Sequence, residues 1–93
     1  MTNQTVTSPA QLGAVIRAAR RAAGLSQADL ADRIGTSRRW VTMIETGNGT
    51  GAELGRVMAA LSALGLRLRI DDAPPELNPV EQALTELWGG AGQ

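Results

Sequence analysis

The chain has 93 residues, is 43% apolar and formally neutral, and contains no cysteine, histidine, lysine, tyrosine or phenylalanine. This length makes one small domain, and the apolar share excludes a fully disordered chain. The missing residue types exclude a disulfide framework, a cysteine-based metal site, and most nucleophiles and general bases.

A core without Phe or Tyr must be built from Leu, Ile, Val, Met and Ala, which suits helices better than a sheet. Residues 1–8 form a polar start without a basic-then-apolar leader pattern, and no apolar run is long enough to cross a membrane. The expected location is cytoplasmic. At "SPAQ", Ser8 is placed as an N-cap with Pro9 at the first helical position, predicting a helix over 9–23. "SQAD" repeats the arrangement at Ser26 and opens a helix over 27–34. A third helix is expected over 37–46. "TGAE" reads as a full capping box for a fourth over 51–64. Gly24, Gly35, Gly47 and Gly65 each follow an apolar-periodic stretch and read as helix stops.

Next comes "LRLRI". Leu66, Leu68 and Ile70 alternate with Arg67 and Arg69, which is strand periodicity. One strand cannot satisfy its own backbone, so its expected partner is the same strand of a second copy, antiparallel across a two-fold axis. The plainer reading is a solvated extended segment. Residues 71–93 then begin with a proline-rich acidic linker. "NPVE" is a further candidate cap, and Val80, Ala83, Leu84, Leu87 and Trp88 share one face of a short amphipathic helix.

Neutrality hides a division of charge. Residues 1–70 hold all nine arginines and four acids, a balance of +5, whereas 71–93 hold five acids and no base. A basic body with an acidic tail points toward nucleic acid as a partner. The exclusive use of Arg fits phosphate and guanine recognition, although genomic base composition also explains it.

Residues 27–46 carry the recipe for a helix-turn-helix. Ala31 is small where two helices must cross, Gly35 permits the turn, and Leu30, Ile34, Val41 and Ile44 are spaced to meet beneath the crossing. In that arrangement one helix crosses the phosphate backbone and the next enters the major groove.

These residues support a resemblance. Gly24-Leu25-Ser26-Gln27, Leu30-Ala31, Gly35, Ser37, Val41, Ile44-Glu45 and Gly47 resemble the lambda-repressor/Cro, or Xre-type, helix-turn-helix family over residues 9–70. "SPAQL" and "LGLRLRI" resemble the HipB-type antitoxin-repressors within it. The resemblance implies a mainly α, four-helix DNA-binding domain with a short C-terminal strand paired across a homodimer. It also implies an operator-binding autorepressor with double-stranded DNA as partner, a bacterial and nucleoid-associated protein when bound. A HipA-like kinase toxin is a further implied partner. No cofactor, metal or catalytic residue is expected.

Residue roles follow from the resemblance. Arg38 and Arg39 open the third helix, where the family enters the major groove, and fit guanine edges or phosphate. Thr42 and Met43 follow one turn on, facing a base, a phosphate or a thymine methyl. Gln27 matches the glutamine that binds backbone phosphate and supports the recognition helix. Ser37 matches a hydroxyl that caps the helix or binds phosphate. Glu45 is expected to pair with Arg20 as a structural ion pair. The chain departs from the family at Arg38 and Arg39, where small polar residues or Gln are common, and at Trp40, often a small residue. Trp40 lies against sugar-phosphate, stacks on an arginine, or fills a gap beside the first helix. Arg38 and Arg39 read more plainly as a solvated helix end, but positive charge there opposes the helix dipole.

Other classes leave weaker marks. Asp29 and Asp32 share a helix face, and Asp71 and Asp72 are adjacent, but a first-turn acid and a linker explain them. The glycines stop helices and form no phosphate loop. The alternatives are a stand-alone Xre-type repressor without a toxin, and a protein-binding module that does not bind DNA.

Overall fold

A computed structural model describes residues 4–73 together with 80, 83, 84 and 87. Four helices follow in order: α1 (Pro9–Ala22), α2 (Gln27–Ile34), α3 (Arg38–Glu45) and α4 (Leu54–Ala63). Local chemistry sets most of their ends. The Ser8 hydroxyl accepts the Gln11 N–H at 3.2 Å. Ser26 and Asp29 form a reciprocal capping box, in which each side chain accepts the other's backbone N–H. The Ser37 hydroxyl accepts the Trp40 N–H at 3.1 Å. At the other ends Gly24, Gly35, Gly47 and Gly65 all take positive φ, the left-handed conformation that terminates a helix at least cost.

The fourth helix departs from expectation. It begins at Leu54, its N-cap is Glu53, and no side chain caps it, so the "TGAE" box does not form. The Ala52 N–H instead bonds the Gly49 carbonyl in a turn, and Ala52 packs against the core. Gly49 and Gly51 make early helix entry costly, and the loop is used to seat Ala52.

Ile16, Leu30, Ala31, Val41, Ile44, Val57 and Leu61 form the core. Removing each large aliphatic side chain among them from water is worth roughly 1.5–3 kcal/mol. α3 packs against both α1 and α2, and α2 also packs against α4. Leu30, Ala31, Val41 and Ile44 do meet at the α2–α3 crossing, each almost fully buried, and Ile34 is half-buried against them. α1 approaches α3 closely enough that a Cβ on Gly13 would overlap the Ile44 carbonyl oxygen.

No strand forms among the described residues of the single chain. After Gly65 the Leu66 N–H caps the Leu61 carbonyl at 2.8 Å and Leu66 packs on the core. Leu68 and Ile70 are 53% and 88% exposed. Arg69 makes an exposed contact to Asp71. Among the described residues of one copy nothing lies alongside residues 66–70 to complete a ladder, so the strand does not arise there. The "NPVE" cap and the tail helix fall mostly outside the described residues; Val80, Leu84 and Leu87 are helical and exposed. Among the described residues, no helix is long and apolar enough to cross a membrane.

Candidate nucleic-acid interface

α3 presents its N-terminal end to solvent. Its cap Ser37 and the following Arg38 and Arg39 are exposed. Among the described residues no carboxylate lies within ion-pair distance of either arginine. Two uncompensated cations at the positive end of a helix dipole cost local stability and leave their donors available.

Behind this end runs a continuous polar seam through three helices. Arg20 of α1 donates from Nε and Nη2 to the two carboxylate oxygens of Glu45, at 2.6 and 2.9 Å. Its Nη1 donates to the Leu25 carbonyl at 2.8 Å, which ties down the α1–α2 turn. Gln27, at the start of α2, donates through Nε2 to Glu45 Oε1 at 3.2 Å. It accepts the Thr42 hydroxyl through Oε1 at 2.9 Å. Gln27 therefore spends both ends of its amide on α3, fixing the rotation of that helix against α2. Thr42 is exposed while held in this way.

Burial pushes the Glu45 carboxyl up, but the hydrogen bonds from Arg20 and Gln27, with the charges of Arg20 and Arg17, outweigh it. Its pKa is lowered overall. The Arg20 guanidinium is pushed up by the same hydrogen bond, against its own desolvation. Every buried side-chain polar atom among the described residues has a partner, so the seam is fully satisfied.

The other sequence-predicted residues divide. Met43 is half-buried and packs on the core, so only part of it faces outward. Trp40 also packs on the core, and the Arg56 guanidinium carbon lies over its ring, 5.8 Å from the centroid. Of the three placements open to Trp40, arginine stacking is present, and the arginine comes from α4. Sequence reasoning missed Arg56, although it is the single charged residue of α4. It also missed Gly13, whose signal was a glycine in a helix interior with no turn to make. Arg17 and Arg21 went unassigned as well; they line a shallow concavity with Gln27, Glu45 and Thr46.

Residues 11–70 match the family model of the helix-turn-helix domain. The chain belongs to that family. It is 34% identical over 65 residues to the uncharacterized HTH-type transcriptional regulator y4mF of Sinorhizobium fredii, covering 70% of this chain and 84% of that one. Among solved structures it is similar to a HipB-O4 20mer complex, at 28% identity and a TM-score of 0.71, covering 77% of this chain and all of that one. A HipA-HipB-O2-O3 complex is similar at 26% identity and a TM-score of 0.70, with 77% of this chain and all of that one covered. The protein is thus a helix-turn-helix transcriptional regulator of Xre type with a HipB-like helical fold, from a family of DNA-binding regulators rather than enzymes. In this helix-turn-helix regulator, α2 and α3 are the two helices of the motif, and Gly35 makes the turn at φ +71°.

Proposed function

We propose that this regulator is a homodimeric autorepressor that inserts α3 into the major groove of its own operator and serves as a HipB-type antitoxin. The observation that carries the reading is the exposed Arg38–Arg39 pair, without an ion-pair partner among the described residues, on a helix whose rotation is locked by Gln27 and Glu45. An arginine at that position reaches guanine O6 and N7 with both arms. Thr42 and the outward part of Met43 would extend the reading surface by one turn, and Ser37 and Gln27, at the starts of α3 and α2, would meet the DNA backbone. Self-association is supported by the alternating Leu68 and Ile70, exposed beside a core-packed Leu66. Two copies pairing residues 66–70 antiparallel would gain a ladder and cover that apolar edge. The HipA-like partner is supported by the likeness to a HipA-HipB complex. The protein works in the cytoplasm, on the nucleoid.

The test is binding to a duplex carrying the region upstream of its own gene, measured across a salt series. Arg39→Ala should cost about 1–3 kcal/mol and relax preference at one base pair. Half-sites should lie about 34 Å apart, one duplex turn. Unchanged affinity in the Arg38→Ala/Arg39→Ala double variant would rule out the groove-reading role. Co-expression with the product of an adjacent kinase-like gene tests the antitoxin role: a stable complex supports it, and failure to associate removes it.

A further inference from the structure

Arg56 is half-buried on an otherwise uncharged helix, and among the described residues no carboxylate lies within ion-pair distance of it. Its guanidinium carbon stands 5.8 Å from the centre of the Trp40 ring. Trp40 follows directly on Arg38 and Arg39 in the first turn of α3. Arg38, Arg39 and Arg56 each lack a carboxylate within ion-pair distance among the described residues, and the Trp40 contact brings Arg56 against α3. In the isolated protein Arg56 has given up part of its hydration without gaining an ion pair among the described residues. A pattern that opposes local stability points to a ligand.

The stack says how that ligand is met. An indole face attracts the cation and restricts its stem, while the in-plane N–H edge of a guanidinium stays available to an acceptor. A planar fork presented in this way matches a phosphate's oxygens. We infer that Arg56, held over the Trp40 ring, is a DNA phosphate-binding residue that clamps the backbone beside the groove entered by α3, with Trp40 as its positioning residue. The inference rests on the operator-binding reading and adds a contact from a helix outside the motif.

Because a phosphate contact carries no sequence information, the probe is a fluorescein-labelled duplex of random sequence. Anisotropy is recorded as salt is raised for the wild type, Arg56→Gln, Arg56→Lys and Trp40→Leu, each first checked by thermal melting. Each phosphate contact contributes about 0.9 to the slope of log affinity against log salt. Arg56→Gln should lower the slope by about that amount per protomer. Between 50 and 200 mM salt it should then lose about 3.5-fold less affinity than the wild type for each protomer bound, or about 12-fold less for a dimer. Arg56→Lys keeps the charge and should keep the slope. Trp40→Leu should weaken binding at low salt. A purely structural arginine would lower the melting temperature of Arg56→Gln and leave the slope alone, and that result overturns the inference. Arg56→Met, which retains the aliphatic stem, gives the same reading if the glutamine variant folds poorly. A wild type with no salt-dependent binding would instead remove the DNA reading beneath it.

Discussion

Glu45, at the end of α3, accepts Arg20 of α1 on both carboxylate oxygens, at 2.6 and 2.9 Å, although the two residues are 25 positions apart. The two side chains are 11% and 2% exposed, so the pair is largely withdrawn from water. Such a pair contributes little net energy against an apolar replacement, but breaking it strands a charge.

Glu45→Ala should therefore destabilise the fold by about 3–5 kcal/mol, a large fraction of what a domain of this size has. The melting temperature should fall by on the order of 15 °C or more. The double variant Arg20→Met/Glu45→Leu should recover much of that loss, because no charge is left unpaired. Calorimetry on the two singles and the double decides it; additive losses would mean that the pair is not coupled.

The same carboxylate makes stability depend on acid. Its folded pKa is below the unfolded value, so the contribution is complete above the ordinary glutamate range of about 4.3. It is lost as pH falls through the lower folded value, because the unfolded chain takes up the proton first. Asp29 behaves alike, lowered by hydrogen bonds from the Ser26 backbone and hydroxyl. Urea midpoints measured downward from pH 7 should hold steady to about pH 5 and then drop. In Glu45→Gln that drop should be shallower.

Gly13→Ala sets two effects against each other. Helix propensity favours Ala by about 1 kcal/mol. The new methyl, however, would overlap the Ile44 carbonyl oxygen, with the Glu45 backbone also close, and backbone cannot rotate aside as a flexible side chain can. The clash should win, with net destabilisation of about 1–3 kcal/mol seen as a lower denaturation midpoint. Neutral or raised stability would show that α1 and α3 sit farther apart.

Self-association through residues 66–70 predicts that Leu68→Asp/Ile70→Asp gives a monomer. Both positions are exposed in one copy, so the helical fold should survive, as circular dichroism can confirm. Light scattering at micromolar concentration should show half the wild-type mass, and operator affinity should drop as the two half-sites lose their linkage. An unchanged mass would place the dimer contact elsewhere.

A chain cut after Ala73 should keep its fold and bind operator at least as well as the full chain. Among the described residues, every core and core-packed residue of the cluster lies between Leu12 and Leu66. The removed segment carries five acids and no base, which phosphate repels. Loss of cooperative melting on truncation would put residues 79–88 in the core.

Much of this molecule is legible in the chain alone, and the reason is that the deciding interactions are local. Ser8, Ser26 and Ser37 cap helices by bonding an N–H three residues on. Gly24, Gly35, Gly47 and Gly65 end helices because φ there is positive, a property of one residue. The helix-turn-helix follows from those ends and the apolar spacing between them. Where local signals compete, the reading slips: Thr50 and Glu53 matched a capping box, but the turn that seats Ala52 on the core delays α4 to Leu54. What the tertiary structure decided joins residues far apart in sequence. The Gln27–Thr42 bond, the Gly13–Ile44 approach and the Arg56–Trp40 stack each depend on how two helices cross. A crossing is set by the whole core, and no short window of sequence contains both sides of it.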